Sequence, residues 1–259
     1  MTLIDSRRNP WLVPIVERSR PTVRLFCLSH AGGGTLGYRA WAPLLPGHVE
    51  AWAVQLPGRE ERILEPALTS AAEIVPAVVR ALRDRTDLPY VLFGHSMGAL
   101  LGYEIAGALR ERGLAGPRHL VVSGAGAPRP GGSGRRRHEL SRDGLIQVLR
   151  DLGGTPEEIL RSPEMMDLVL PTLRADFQVV DGYRYTPRPA LDCPITVLGG
   201  RADSVGEADL ARWAELTGGR SRVLMFDGGH MFVNTERAAV VRAVAGVLSG
   251  AVEGVGSAG

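Results

Sequence analysis

A single serine stands between two glycines in Gly94-His-Ser-Met-Gly98, directly after the apolar run at residues 90–93 and directly before a second apolar segment. The G-x-S-x-G spacing belongs to a sharp strand-to-helix turn, where a side chain at either glycine position would collide across the turn. Such a turn lifts its serine above a sheet, so Ser96 is a candidate nucleophile. Because short glycine patterns also arise by chance, this hypothesis needs a strand before the serine, a helix after it, and an acid and a histidine later in the chain.

Continuous apolar runs alternate along the chain with segments of helical periodicity. The runs predict strands at residues 23–28, 49–56, 90–93, 119–123, 194–198 and 222–226, and the periodic segments predict helices at residues 71–85, 97–113 and 235–248. Strands of this kind are typical of a mostly parallel sheet covered by helices on both faces. A chain of 259 residues is long enough for one large α/β domain of this type.

One long segment interrupts the alternation. Residues 124–193 contain no convincing strand, and helical patterns recur there at residues 143–152, 156–160 and 164–180. The length exceeds a usual crossover connection, so we predict a helical lid above the carboxyl ends of the strands, with a plain structural insertion as the alternative. The predicted organisation is an N-terminal segment at 1–20, a core in two parts at 21–125 and 191–249, the lid at 126–190, and a disordered tail at 250–259.

Composition excludes several classes of function. The net charge of +2 gives no reason to expect nucleic-acid binding. All 30 basic residues are arginine, which excludes Schiff-base chemistry, a pyridoxal anchor and a lysine-dependent phosphate loop. Cys27 and Cys193 are isolated, so we expect buried thiols with neither a disulfide framework nor a metal site. With no signal-peptide core and no run of ~18 apolar residues, we expect a soluble, cytoplasmic protein without membrane contact.

His230 is the candidate general base that a serine nucleophile requires. It lies in the glycine-rich loop Phe226-Asp-Gly-Gly-His-Met231, directly after the last predicted strand, which fits the chain order Ser…Asp…His. The other five histidines are assigned other roles: His95 points away from the nucleophile, His30 makes a structural hydrogen bond, and His48, His119 and His138 lie at the surface.

Asp203 is the candidate acid, because it lies in the loop after the penultimate predicted strand and precedes His230. The remaining carboxylates near it are less suitable: Asp192 precedes that strand, Asp227 is a surface or turn residue, and Glu207 and Asp209 lie in the first turn of the next helix.

The candidate oxyanion hole consists of two backbone N–H groups. Met97 follows the nucleophile at a helix N-terminus, which favours developing negative charge. Ala31 lies in His30-Ala-Gly-Gly-Gly34, whose glycines let the backbone approach a substrate closely. Taken alone, this loop equally fits a phosphate-binding turn or a tight turn without function.

From about residue 23 to residue 248, the sequence resembles the type II thioesterases of polyketide and nonribosomal peptide biosynthesis, an α/β-hydrolase family. The resemblance rests on Ser29-His-Ala-Gly-Gly-Gly34, Gln55-Leu-Pro-Gly-Arg-Glu-Glu-Arg62, Gly94-His-Ser-Met-Gly98, Gly153-Gly-Thr-Pro156, Leu170-Pro-Thr-Leu-Arg-Ala-Asp-Phe177, Cys193-Pro-Ile-Thr-Val-Leu-Gly-Gly200 and Gly228-Gly-His-Met231. The sequence departs from the family pattern at Ser29 and Ser204, where members usually carry proline.

The resemblance implies an α/β-hydrolase fold and an editing activity. Family members hydrolyse stalled or wrongly primed acyl groups from the phosphopantetheine thiol of acyl or peptidyl carrier domains, through an acyl-enzyme intermediate. It implies Ser96 as the nucleophile, His230 as the base and Asp203 as the acid, with the oxyanion bound by the N–H groups of Met97 and Ala31. The substrate brings its own phosphopantetheine, so no cofactor and no metal are expected, and we expect a monomer whose partners are carrier domains.

Two sets of side chains are candidates for substrate and partner contacts. Methionine is flexible enough to accommodate varied chains, so lid residues are candidates to line an acyl chamber, although they also fit the lid's own core. These residues are Met165, Met166, Leu168, Leu170, Leu173, Phe177 and Val180. Arg59, Arg62 and the arginines at 135–137 are candidates to meet an acidic carrier surface, although a solvated surface is the ordinary role of such charges.

Three other functions remain open at this stage. The same residues fit a carboxylesterase or lipase acting on diffusible esters, and preference for a carrier-bound thioester over a free ester with the same acyl group separates the two. They also fit an acyltransferase that uses an alcohol or amine in place of water. A binding protein of hydrolase shape is the third, but such proteins usually lack one of the three catalytic residues.

Overall fold

Seven strands form one sheet in the computed structural model, which describes residues 9–132 and 134–253. The strands are β1 (Leu12–Val16), β2 (Val23–Leu28), β3 (Val49–Val54), β4 (Tyr90–His95), β5 (His119–Ser123), β6 (Ile195–Gly200) and β7 (Ser221–Phe226). Their order across the sheet is β1-β3-β2-β4-β5-β6-β7, and all neighbouring pairs except β1 with β3 are parallel. The mostly parallel sheet predicted from the sequence is confirmed.

Strand β1 lies in the segment that the sequence left without structure. It pairs antiparallel with β3, Leu12 opposite Val54, and it forms the edge of the sheet. Pro14 within it lacks a backbone N–H, which an edge strand tolerates and a central strand does not. The core therefore begins before residue 21, which the sequence did not predict.

Eight α-helices are described. They are α1 (Ala71–Leu82), α2 (Met97–Glu111), α3 (Arg142–Leu152), α4 (Glu157–Arg161), α5 (Pro163–Gly182), α6 (Glu207–Ala211), α7 (Phe232–Thr235) and α8 (Arg237–Glu253). Helix α8 includes residues 250–253, which the sequence analysis assigned to a disordered tail, because its apolar face continues past Leu248 to the buried Ala251. Residues 254–259 of that tail lie outside the described residues. No described helix has both the length and the apolar character needed to cross a membrane.

The two faces of the sheet bury separate apolar cores. Along β2, Phe26 and Leu28 pack with α1 and α2, whereas Leu25 and Cys27 pack with α8. Successive side chains of a strand point to opposite faces, so a strand covered on both faces is apolar throughout. This arrangement leaves the carboxyl ends of the strands as the edge where loops can form a site.

A helical insertion lies between β5 and β6, and we keep for it the name lid that the sequence analysis gave. It contains α3, α4 and α5, and no strand occurs in the described part of residues 124–193. It has a small apolar core of its own, formed by Leu145, Leu149, Leu160, Met166, Leu170, Leu173 and Phe177. Both cysteines are free, Cys27 fully buried and Cys193 partly so. Within residues 9–132 and 134–253, no cluster of histidine, cysteine and carboxylate side chains could hold a metal ion.

Candidate active site

Ser96 lies between the last residue of β4 and the first residue of α2, in a strained backbone conformation with φ 55° and ψ −113°. Residues other than glycine rarely adopt a positive φ, and such strain is typical of functional turns. A Cβ at Gly94 would lie 2.0 Å from the carbonyl oxygen of Gly98, and a Cβ at Gly98 would lie 2.1 Å from that of Leu28. Both glycines are therefore required by the turn that raises Ser96 above the sheet.

His230 and Asp203 contact each other at the same edge of the sheet. His230 follows β7, Asp203 follows β6, and the His230 Nδ1 atom lies 2.9 Å from Asp203 Oδ2. Burial alone would raise the pKa of the Asp203 carboxyl, but the hydrogen bond from His230, together with the backbone N–H of Val205, holds that pKa below its ordinary value. An ionised Asp203 accepts a hydrogen bond from Nδ1–H of His230, which leaves Nε2 as the basic nitrogen.

The other carboxylates considered from the sequence do not contact His230. The side chain of Asp227 is 85% exposed and lies 3.5 Å from Arg201, and Asp192 is exposed ahead of β6. Asp209 lies 3.7 Å from Arg129. Of the candidate acids, Asp203 alone has the contact that the chain order predicted.

A cavity of about 360 Å³ separates the sheet edge from the lid. Ser96, His230, Met97 and Ala31 all line it, so the structure brings the predicted nucleophile, base and oxyanion residues together around one space. The lid contributes apolar side chains to the opposite wall, namely Leu149, Leu152, Phe177 and Val180. The loop at residues 126–137 contributes charged ones, namely Arg129, Arg135 and Arg137.

The glycine loop after β2 is closed by local hydrogen bonds. Gly32 has a φ of 75°, and the N–H of Gly33 donates to the carbonyl of His30 at 2.9 Å. The Ser29 hydroxyl donates to the carbonyl of Gly34 at 2.7 Å, so the serine that replaces the family's usual proline closes the loop through its side chain. Burial lowers the pKa of His30, and its Nδ1–H donates to the carbonyl of Ala31 at 2.9 Å, which is the structural role predicted for it.

His95 precedes the nucleophile but does not line the cavity. Its ring is buried beside the rings of His230 and His30, at centroid distances of 5.1 and 6.0 Å. Nδ1 lies 2.9 Å from Oγ of Ser123, the residue whose carbonyl accepts the backbone N–H of Ser96. Burial, and then the charges of the two neighbouring histidines, lower the pKa of His95 well below its ordinary value. The sequence predicted the direction of this side chain but not its partner, Ser123.

The lid residues predicted to line an acyl chamber separate into two groups. Phe177 and Val180 line the cavity. The other five do not line it: Met166, Leu170 and Leu173 are buried in the lid's own core, and Met165 and Leu168 are 38% and 54% exposed. Helical periodicity does not separate the two groups, because Met166, Leu170 and Phe177 share one face of α5. What differs is the position along the helix, since Phe177 and Val180 lie nearer its C-terminal end.

Burial contradicts the expectation that Arg59 and Arg62 contact a carrier domain, because they are only 7% and 9% exposed. Arg59 forms two hydrogen bonds with Asp176, each 2.8 Å long. Arg62 donates to the carbonyl of Gln55 at 3.0 Å, and its guanidinium lies 4.4 Å from the ring of Trp11. No sequence pattern indicated that both side chains are buried. Arg137 is also engaged, with Asp181 at 2.6 Å.

Comparisons with known proteins identify the family. Residues 23–248 match the family model of the thioesterase domain. The gramicidin S biosynthesis protein GrsT of Aneurinibacillus migulanus is 40% identical over 234 residues, which cover 90% of this chain and 91% of that protein. These matches confirm the resemblance that the sequence motifs indicated.

Comparison with solved structures identifies the same family. The type II thioesterase BorB from the borrelidin biosynthetic cluster is 33% identical, with a TM-score of 0.83 over 96% of this chain and all of that one. The thioesterase RedJ from the prodiginine biosynthetic pathway in Streptomyces coelicolor is 38% identical, with a TM-score of 0.81 over 87% of this chain and 85% of that one. The chain therefore belongs to the thioesterase family, with an α/β-hydrolase fold and the activity of a serine-type thioester hydrolase.

Proposed function

We propose that this chain is a discrete editing thioesterase that hydrolyses aberrant or stalled acyl groups from the phosphopantetheine arm of acyl or peptidyl carrier domains. One observation carries the proposal: the strained Ser96 and the Asp203-bound His230 line the same cavity. The relatives support the biosynthetic setting, since their names refer to gramicidin S, borrelidin and prodiginine biosynthesis. The cytoplasmic location and the monomeric state stay predictions.

The first half-reaction forms an acyl-enzyme. Ser96 Oγ attacks the thioester carbonyl carbon while Nε2 of His230 takes the hydroxyl proton. The N–H groups of Met97 and Ala31 donate to the oxyanion of the tetrahedral intermediate, which then collapses with cleavage of the carbon–sulfur bond. The imidazolium returns its proton to the leaving pantetheine sulfur, and the acyl group stays on Ser96 as an ester.

Hydrolysis of this ester repeats the sequence with water. His230 takes a proton from the water molecule as its oxygen attacks the ester carbonyl, and the same two N–H groups stabilise the second oxyanion. Collapse returns the proton to Ser96 Oγ and releases the carboxylic acid. Asp203 stays ionised throughout and stabilises the imidazolium, which fits its lowered pKa.

The cavity supports a small acyl group held at the end of a long arm. Its volume of about 360 Å³ lies at the lower end of the range for small-molecule sites, and the lid supplies its apolar wall. The substrate carries its own phosphopantetheine, so the proposed mechanism requires no cofactor and no metal from the protein.

The test uses an acyl carrier protein loaded with acetyl or propionyl on phosphopantetheine, followed by intact mass. We expect rapid loss of the acyl mass with the wild-type protein and none above background with Ser96→Ala. The nitrophenyl ester with the same acyl group serves as the comparison substrate. Cleavage of the ester with no effect on the loaded carrier would contradict the editing function and favour a carboxylesterase.

A further inference from the structure

A buried ion pair joins the lid to the glycine loop that contains Ala31. Arg59 follows β3 and Asp176 lies on lid helix α5, and their side chains are only 8% and 1% exposed. The guanidinium binds the carboxylate through two parallel hydrogen bonds of 2.8 Å. Bidentate pairs of this kind are strong and strictly oriented, so each partner fixes the other.

Both partners also bind the glycine loop directly. The backbone N–H of Gly32 donates to Asp176 Oδ2 at 2.7 Å, and Arg59 donates to the carbonyl of Gly33 at 2.8 Å. The carbonyl of Ala31, in the same peptide unit as the Gly32 N–H, accepts a hydrogen bond from His30. The peptide between Ala31 and Gly32 is therefore held at both ends, one of them by a lid residue.

Two neighbouring contacts hold the same three segments together. Thr172, one turn before Asp176 on α5, donates to the carbonyl of Gly58 at 2.5 Å. Glu60, which has a φ of 48°, accepts the backbone N–H of Leu36 at 2.9 Å and so binds the far side of the glycine loop. A Cβ at Gly34 would lie 2.1 Å from Oε1 of Glu60, so the two segments are in close contact.

We infer that Asp176 is a positioning residue, through which the docked lid helix and Arg59 orient the Ala31 N–H toward the oxyanion. This inference rests on the proposed function, which makes that N–H an oxyanion donor. Oxyanion donors act only within a narrow range of positions, and a displacement of about 1 Å costs roughly 100-fold in rate. The ion pair is a weak source of stability in itself, because apolar pairs often replace buried ion pairs without loss.

The test separates binding of the oxyanion from binding of the ground state. Asp176→Asn keeps the shape of the side chain and removes its charge. We expect kcat to fall by roughly 10- to 100-fold with KM within about threefold. Affinity for a trifluoromethyl ketone analogue of acyl-pantetheine, which forms a tetrahedral adduct, should fall by the same factor. Affinity for the alkyl-pantetheine thioether, which has no carbonyl, should change by less than about threefold.

Asp181→Asn is the matched control. Asp181 is a second buried aspartate of helix α5 that binds an arginine, but its side chain contacts Arg137 and His138, and none of its contacts reaches the glycine loop among the described residues. We expect this variant to lose stability while keeping the wild-type ratio of affinities for the two analogues. If Asp176→Asn does not fold, the apolar pair Arg59→Met with Asp176→Leu takes its place, with the same expected results.

A folded Asp176 variant with kcat within twofold of wild type would overturn the inference, as would equal losses of affinity for both analogues. Ser96→Ala distinguishes this failure from failure of the proposed function. An inactive Ser96→Ala beside an unimpaired Asp176→Asn overturns only the positioning role. An active Ser96→Ala overturns the proposed function and this inference with it.

Discussion

Burial of a neutral His95 predicts that acid destabilises the folded protein in a way that one substitution can relieve. The ring is enclosed by β5, the His30 loop and the His230 loop, and within residues 9–132 and 134–253 no carboxylate forms a hydrogen bond or ion pair with it. Its pKa is well below the ordinary 6.5 in the folded chain and returns toward 6.5 on unfolding. The unfolded state therefore binds more protons, so stability is full above about pH 6.5 and falls as pH decreases below it.

The size of the loss follows from this linkage. If His95 stays neutral in the folded chain, lowering the pH from 7.0 to 5.5 protonates it only in the unfolded chain. With an unfolded pKa of 6.5, the free energy of unfolding then falls by about 1 kcal/mol from this residue alone. Asn is a suitable replacement, because its amide nitrogen can take the place of Nδ1 opposite Ser123.

The assay is urea denaturation of wild type and His95→Asn at pH 7.0 and pH 5.5. Between the two pH values, we expect the free energy of unfolding of the wild-type protein to fall by about 1 kcal/mol more than that of the variant. His119, at the other end of β5, has a pKa lowered to about 4 by burial and by Arg222, so His119→Asn should relieve a separate part of the loss. Identical pH dependence in wild type and His95→Asn would refute the argument from burial.

Three further substitutions test the site and the fold. Asp203→Asn should lower kcat by about 10⁴-fold with little change in KM, because His230 loses the acceptor that orients it. Asp227→Asn, at an exposed position, should leave steady-state kinetics unchanged. Equal losses of kcat in the two variants would contradict the assignment of Asp203 as the acid. Phe177→Ala should lower the free energy of unfolding, measured by urea denaturation, by about 3–5 kcal/mol, since the ring is buried. It should also raise turnover of longer acyl thioesters relative to acetyl, since the ring lines the cavity. An unchanged chain-length profile would exclude a role of Phe177 in limiting acyl length. Gly98→Ala should lower the free energy of unfolding by about 3 kcal/mol or more, because its Cβ would meet the Leu28 carbonyl. A thermal midpoint equal to that of the wild-type protein would show that the turn tolerates a side chain at this position.

The sequence predicted those parts of the fold that depend on local pattern. The strand from Val23 to Leu28 and the turn at Ser96 are specified by adjacent residues, so their positions follow from apolar runs and glycine spacing. The chain order also predicted that Asp203 and His230 lie at one edge of the sheet, since the carboxyl ends of parallel strands meet there. Their contact at 2.9 Å required only that each loop be short.

Features that depend on distant contacts could not be predicted in this way. The ion pair of Arg59 with Asp176 joins residues 117 positions apart, and no local pattern distinguishes a buried arginine from an exposed one. The same limit applies to Met166, whose burial in the lid core depends on how α5 packs against α3. The place of β1 in the sheet also depends on a distant contact, its antiparallel pairing with β3.

The most direct test of the central claim, that Ser96 is the acylated nucleophile, is to trap the acyl-enzyme. The protein is mixed with propionyl-pantetheine thioester, quenched in acid within milliseconds, digested with trypsin and analysed by mass. Cleavage after Arg85 and Arg110 releases residues 86–110, which contain Ser96 as their one serine. The account predicts a propionyl addition on Ser96 in this peptide, with none in Ser96→Ala. Turnover of the thioester by Ser96→Ala at the wild-type rate, with no acylated peptide in either protein, would contradict it.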